Sequence, residues 1–362
     1  MLKVFTDIFE DVTKEAIKIP ADKYLSNGTF QIIDQGQKEI AGYTNCEEGL
    51  FTNVPAILFG DHTRIIKYVD KPFFLGADGV KLLKAKINNP NYKYLYYALK
   101  WAKIPDTGYN RHYKWLKEVT INIPNEDEQH RIVAILDQVN DLISIRNQQL
   151  EQLDLLIKSR FVEMFGDPVI NEKKWNVYNF EDITDIITDG EHQTPKRAIN
   201  GIYLLSARNI LNHTLSLNDV DYIDDDEFNR ISKRIIPKAG DILLSCSGTI
   251  GRCCVVPKNL KFQMVRSVAL LRFKNNINPI FMEYLITSDE LQNQIKKSAT
   301  KSSQANLFQG RIKKLYGYIP PLALQNQFAA FVEEVEKEKS TVKQSLEWLN
   351  TLKASLMQDY FG

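Results

Sequence analysis

Polar side chains able to read the edges of base pairs collect on a few short stretches of this 362-residue chain. In the first third these are Gln35 and Gln37, then His62, Thr63 and Arg64 of an Asp-His-Thr-Arg run, then Tyr109, Asn110, Arg111 and His112. The second half offers His192, Gln193 and Thr194, followed by Lys196 and Arg197, and then Arg208 with Asn209. Ser247, Thr249 and Arg252 surround a Ser-Gly-Thr-Ile-Gly run, with Arg266 and a Lys301, Ser303, Gln304 group beyond them. Arginine matches guanine O6 and N7, glutamine or asparagine matches adenine N6 and N7, and hydroxyls reach bases or phosphates. The chemistry on offer is hydrogen-bonded groove reading without a catalytic geometry. Any exposed loop has some of this composition, so ordinary solvation competes as the role of each residue taken singly.

The segments that come nearest to enzyme signatures lie elsewhere in the chain, and each is incomplete. Phe74-Leu-Gly-Ala-Asp-Gly79 has the look of a cofactor glycine loop, and Asn89-Pro-Asn-Tyr92 that of an adenine methyltransferase motif. Only 10 to 15 residues separate them, too few for the strand–helix crossovers of a doubly wound fold. Pro105-Asp106 followed by Glu118-Val-Thr120 lacks the lysine a metal-dependent nuclease would place at the last position. There is no Gly-x-x-x-x-Gly-Lys-Ser/Thr loop for ATP, and the five histidines have no metal spacing. The chain itself is therefore expected to be non-catalytic and to hold neither metal nor cofactor.

With 46 Lys+Arg against 45 Asp+Glu the net charge is +1, which excludes a uniformly basic coat; nucleic-acid contact must come from local patches. The length predicts two domains or three at about 100–200 residues each. No apolar run approaches the ~20 residues of a membrane span, and the start lacks a basic-then-apolar secretory pattern. Four cysteines without a C-x-x-C point away from a disulfide framework and toward the cytoplasm.

The elements that must position these side chains are written twice. Ile123-Pro-Asn-Glu-Asp-Glu-Gln129 recurs as Ile319-Pro-Pro-Leu-Ala-Leu-Gln325, and over residues 123–166 14 of 44 positions are identical 196 residues later, down to Phe165-Gly166 and Phe361-Gly362. Weaker echoes precede it: Phe9–Thr13 with Phe180–Thr184, Ile57–Phe59 with Ile242–Leu244, Val80–Lys84 with Val268–Arg272, and Pro90 and Tyr94-Leu95 with Pro279 and Tyr284-Leu285. Such periodicity marks one supersecondary plan used twice. In the lobes, Gly240–Cys246 and Arg252–Val256 read as a hairpin, Tyr203–Ser206 and Val268–Phe273 as strands, and Phe281–Lys296 as helical. Thr29–Ile33, Ala56–Phe59 and Val80–Ile87 read as extended, and Tyr92–Trp101 as helical.

Each repeat closes on a long amphipathic helix. Apolar steps of three and four run through Ile132, Ile135, Val139, Leu142, Leu150, Leu153 and Ile157 in the first. In the second they run through Phe328, Phe331, Val335, Val342, Leu346, Leu349 and Leu352. About 38 residues give ~57 Å of helix, too long for one lobe to cover, so each helix is expected to pack against the other along this seam; packing each on its own lobe is the competing arrangement. Residues 126–163 hold 8 acids and 4 bases and residues 322–359 hold 6 and 4, so the lobes carry the basic excess.

The Ile-Pro…Gln step into a long helix ending in Phe-Gly, present twice between dissimilar lobes, resembles the specificity subunit of type I restriction–modification enzymes. Asp189-Gly-Glu-His-Gln-Thr-Pro195, Gly240-Asp-Ile-Leu-Leu244 with Gly248-Thr-Ile-Gly251, and Gly60-Asp-His-Thr-Arg64 resemble stretches of that family's target recognition domains. The resemblance implies an α+β fold with two such domains, residues 1–123 and 167–319, in a pseudo-twofold arrangement. They would be separated by two long antiparallel spacer helices forming a coiled coil, residues 124–166 and 320–362. No spacer-type segment stands ahead of the first lobe, so the second helix would serve as its only spacer partner.

The resemblance further implies a partner set. Double-stranded DNA would be read as a bipartite target with a fixed non-specific spacer. Two methylation subunits would methylate adenine with S-adenosylmethionine, and a restriction subunit would use ATP and Mg. Dissimilar lobes imply dissimilar half-sites. A stand-alone DNA methyltransferase or nuclease, and a coiled-coil scaffold without DNA, are the competing functions.

Overall fold

The computed structural model describes residues 1–76, 79–299 and 306–362. The chain forms two compact units, Met1–Gln148 with Lys343–Gly362, and Gln149–Val342. The lobes of both are α+β and share one topology. In the first unit a four-stranded antiparallel sheet runs Phe9–Asp11, Val80–Ala85, Ala56–Gly60, Ile66–Val69. In the second the same order is filled by Thr184–Asp189, Val268–Phe273, Ile242–Ser245, Cys253–Val255. Each unit adds a three-stranded sheet whose central strand, Phe30–Ile33 or Ile202–Leu205, pairs antiparallel on one side and parallel on the other. The interior strands Ala56–Gly60 and Ile242–Ser245 of the four-stranded sheets are short, apolar and buried on both faces, as Ile57, Leu58 and Phe59 and their counterparts Ile242, Leu243 and Leu244 show; burial of each such side chain contributes roughly 1.5–3 kcal/mol.

The repeat is accurate to the register. Ile57 lies opposite Leu83 and Ile242 opposite Leu271, so two of the weak sequence echoes are true equivalences. Two others are out of step. Leu2 pairs with Asn122 and Val177 with Tyr318, and the amides of Phe5 and Phe180 donate to the carbonyls of Val119 and Leu315, both at 2.8 Å. The partner of Phe180-Glu-Asp-Ile is therefore Phe5-Thr-Asp-Ile, each a buried one-turn helix, and not the run at Phe9. The chain here contains two consecutive Phe-x-Asp phrases with equally buried ends, and the strand pairing with its amide bond selects the first. Likewise Asn91 and Asn278 cap the amides of Tyr94 and of Ile280 and Phe281, which equates Tyr94 with Phe281 instead of Tyr284. The cap also accounts for Asn89-Pro-Asn-Tyr92 as the start of the helix Tyr92–Trp101. The helical stretch read over Phe281–Lys296 is two helices, Pro279–Thr287 and Asp289–Ser298, broken where Ser288 turns extended.

The Ile-Pro…Gln phrase has a physical job. Gln129 Nε2 donates to the Pro124 carbonyl at 2.9 Å and Gln325 Nε2 to the Pro320 carbonyl at 2.7 Å. Each glutamine thus ties the entering loop to the first turn of its helix. Fully buried Gln325 also accepts the Asn278 amide at 2.8 Å.

The long helices are Glu126–Phe165 and Leu322–Phe361. Each begins in the unit of its own repeat and ends in the other, so within each unit the two are antiparallel neighbours. In the second unit Phe165 packs against Phe281 at 4.8 Å and Phe328 at 5.5 Å, with Leu153, Ile157, Val335 and Val342 buried in the same core. In the first unit Ile132 and Leu136 share a core with Met357, and Phe361 packs on Tyr94 at 5.4 Å. Val139 and Leu349 are also buried, while Ile135, Leu150, Phe331, Leu346 and Leu352 are half-buried. One seam position is corrected: Leu142 is 44% exposed. The inner row steps 132, 136, 139, 143, and the strict three-four spacing admits Ile143 in its place. Lys339, at the row's equivalent of Ile143, bridges Asp154 at 2.7 Å and Glu336 at 2.5 Å.

Candidate nucleic-acid interface

In the first unit three loops carry the polar candidates, and the structure brings most of them together. The turn after Ala56–Gly60 is closed by the Arg64 amide on the Gly60 carbonyl at 2.7 Å, with Arg64 at φ 60°. The loop after Phe30–Ile33 packs against it. Thr63 Oγ1 donates to the Gln35 carbonyl at 2.8 Å, and the His62 amide to Gln35 Oε1 at 3.3 Å. From the third loop, Asp106 binds Arg64 Nη2 at 2.6 Å, and Tyr109 stacks on His62 with centroids 4.7 Å apart. Tyr109 is 87% exposed at the loop tip. The Gly108 amide and the Arg64 guanidinium hold the Asp106 carboxyl below the ordinary carboxylate range. Asn110 bonds its own loop through Thr107, and Gln37 and Arg111 are exposed.

His112 is a correction. It is fully buried, with its amide and Nδ1 on the Asp61 carbonyl at 2.8 and 3.0 Å, while Asp61 Oδ1 accepts the Tyr113 amide at 2.7 Å. It anchors the loop from inside and presents nothing outward.

In the second unit the Asp189–Pro195 stretch is held by charge. Asp189 meets His192 Nε2 at 2.8 Å and Arg234 Nη2 at 2.6 Å, and accepts from Gln309. Burial alone would raise its carboxyl, but the His192 hydrogen bond and the Arg234 charge outweigh it and the pKa falls. Gly190 must be glycine: a Cβ there would stand 2.3 Å from the Met264 carbonyl oxygen. The Gln193 amide donates to Glu191 at 2.8 Å and the Lys196 amide to Glu227 at 3.1 Å, leaving the Thr194 and Lys196 side chains exposed. Arg197 and Arg208 both pair with Asp221, at 3.1 and 3.2 Å.

Asn209 is the second correction. It is 1% exposed and spends its amide on Ser206, Ser216 and Asp219, so it shapes the loop that offers Arg208. The Arg266 amide donates to the Glu191 carbonyl at 3.0 Å, which sets its exposed side chain beside the same stretch. Ser247 bridges to Asn306, and Thr249 and Arg252 lie in the turn between paired strands. Lys301, Ser303 and Gln304 lie outside the described residues.

Exposed guanidinium–carboxylate pairs of this kind are worth only ~0–1 kcal/mol. A guanine edge or a phosphate can therefore take over Arg64, Arg197 or Arg208 at small cost, while the carboxylates keep the free side chains aimed. These acids were not read as part of the site from sequence. The Asp189–His192 and Glu227–Arg230 pairs, both at i,i+3, carry a local signal; Asp106 and Asp221 act across long loops. Among the described residues no group of three or more His, Cys, Asp or Glu is placed to hold a metal, and no helix is long and apolar enough to cross a membrane.

The family model described as the type I restriction modification DNA specificity domain matches residues 4–155 and 172–350. A putative type I restriction enzyme MjaX specificity subunit of Methanocaldococcus jannaschii is 26% identical over 194 residues, covering 52% of this chain and 45% of that protein. The MjaVIII specificity subunit of the same organism is 21% identical over 314 residues, covering 78% and 74%. The Escherichia coli EcoR124I/EcoR124II specificity subunit is 29% identical over 147 residues, covering 37% and 36%. The alignment thus spans less than half the length of the first of these relatives. Among solved structures, the S subunit of a type I system from M. genitalium superposes with a TM-score of 0.62 at 17% identity, over 100% of this chain and 96% of that one. A chain from a study of complex assembly and conformational transition in the type I R-M system gives 0.56 at 15%, over 100% and 97%. Both share the fold described above.

Proposed function

The chain belongs to the type I restriction-modification DNA specificity family, and from that premise we propose that it is the sequence-reading subunit of a type I complex, each unit reading one half of a bipartite duplex target. The observation that carries the reading is one scaffold with two sets of loop residues. By strand register the loop after the central strand is Asp34-Gln-Gly-Gln37 in the first unit and Ser206-Ala-Arg-Asn209 in the second. The same backbone edge thus offers glutamines in one copy and an arginine in the other, which suits two different half-sites. The long helices carry the acidic excess and suit protein contact better than phosphate contact.

On this reading the chain lacks catalytic chemistry of its own. Two methylation subunits supply adenine methylation from S-adenosylmethionine, and a restriction subunit supplies ATP- and Mg-dependent cleavage. Selection of bound duplexes from a randomised library by the chain with its methylation subunits tests this. Two specified blocks separated by a constant run of unspecified pairs are expected, with affinity falling steeply as salt rises. Retention of DNA without a sequence preference, or methylation or cleavage by the purified chain alone, would refute it.

A further inference from the structure

One strand of the first unit carries a lysine where none should be comfortable. Lys67, on Ile66–Val69, is 2% exposed. Lysine is almost never fully buried without partners, because its ammonium loses hydration. Its Nζ donates to the Lys38 carbonyl at 2.5 Å and stands 3.7 Å from Asp34 Oδ1. Desolvation pushes its pKa below the ordinary lysine value against the pull of Asp34 and Glu39. Both partners belong to the loop that carries Gln35 and Gln37. The loop is closed from within by the Gly36 amide on Asp34 Oδ1 at 2.8 Å and from the far side by Thr63 on the Gln35 carbonyl. Space is reserved for it as well: a Cβ on Gly60 would meet Gln35 Cβ at 2.9 Å and Thr63 Oγ1 at 2.2 Å. A hydrophobic residue of similar volume would serve packing at least as well as a buried charge. What only the ammonium provides is a fixed bond to one carbonyl at the base of this loop.

We propose that Lys67 is a positioning residue for sequence reading, clamping the 34–38 loop so that Gln35 and Gln37 are presented in a single arrangement beside His62 and Thr63. The role rests on the first unit reading one DNA half-site, as proposed above. The test is selection from a randomised duplex library by the full chain with its methylation subunits, comparing wild type with Lys67→Met, which keeps the aliphatic stem and removes the ammonium.

Discrimination at base pairs of one block should fall about tenfold, the scale of one lost bidentate contact, while the other block stays as sharp as in wild type. Gly60→Ala, which crowds Gln35 from the opposite side, should blunt the same base pairs. Should Lys67→Met fail to fold, Lys67→Arg gives the same readout, since a guanidinium cannot occupy the enclosed site of the ammonium without moving the loop. Unchanged discrimination in a folded Lys67 variant, or equal blunting of both blocks, would overturn the role. A wild-type complex selecting no two-block motif would instead overturn the functional reading on which it rests.

Discussion

Replacing Phe165 by alanine should destabilise the second unit by about 3–5 kcal/mol, the usual cost of truncating a buried aromatic ring. Phe165 is fully buried. It ends a helix that started in the first repeat, and it stands edge-on to Phe161, Phe281 and Phe328 at 5.0, 4.8 and 5.5 Å. Alanine removes the ring common to those three contacts. The cavity would lie between the terminal turn, the helix Pro279–Thr287 and the start of the helix Leu322–Phe361, three elements that cannot close on it without moving one another. The carbonyl of Phe165 also accepts Trp175 Nε1 at 3.0 Å, so tryptophan fluorescence together with circular dichroism in a urea titration reads the loss directly. The equivalent ring in the first unit, Phe361, is only partly buried and should cost less when truncated. A Phe165→Ala loss below about 1 kcal/mol would mean that the crossing helix end contributes little to the second unit.

A loss of similar size, about 3–5 kcal/mol, is expected for Asp241→Ala. Asp241 is 2% exposed. Its two oxygens receive Arg272 Nε and Nη2, both at 2.7 Å, and the Lys238 amide at 2.7 Å. Arg272 lies near the end of the interior strand Val268–Phe273, so removing the carboxylate leaves a largely buried guanidinium with the Ile236 carbonyl at 3.2 Å in place of a counter-charge. Most of the penalty comes from that uncompensated charge rather than from the pair itself. Replacing both partners at once, Asp241→Leu with Arg272→Met, should therefore recover most of the stability in the same urea titration. A double replacement as damaging as the single one would place the loss in the Lys238 turn instead.

Much of the architecture was legible because it depends on local spacing. The seam helices, their Phe-Gly ends and the Ile-Pro…Gln entry are all patterns within a few turns of chain, and the structure supplies their causes in the Gln129 and Gln325 carbonyl bonds and the Phe165 and Phe361 ring contacts. The Leu142 position failed because Arg146 occupies a seam position; a residue scan for apolar steps skips an arginine and drifts one residue out of phase. The Phe9 echo fails because consecutive phrases at Phe5 and Phe9 both fit, with the same buried ends, and only the long-range strand pairing and the Phe5 amide bond to Val119 separate them. The loops were less legible. Composition picks out polar residues but not their direction, and direction here is set by bonds across 42 to 51 residues, Arg64 to Asp106 and His112 to Asp61. That is why His112 and Asn209 read as contact residues and are internal braces, and why Lys67 carries no signal in the sequence: its partners Asp34 and Lys38 lie about 30 residues away along the chain.

The helices offer the most direct measurement. Inserting one heptad into each, between Gln148 and Gln149 and between Val342 and Lys343, where the compact units meet in sequence, preserves the seam spacing. Seven residues lengthen each helix by ~10 Å, about three base pairs of duplex. Selection from a randomised library by the lengthened chain with its methylation subunits should then return the same two sequence blocks with about three more unspecified base pairs between them. An unchanged spacer, or altered blocks at an unchanged spacer, would contradict the assignment of reading to the units and of spacing to the helices.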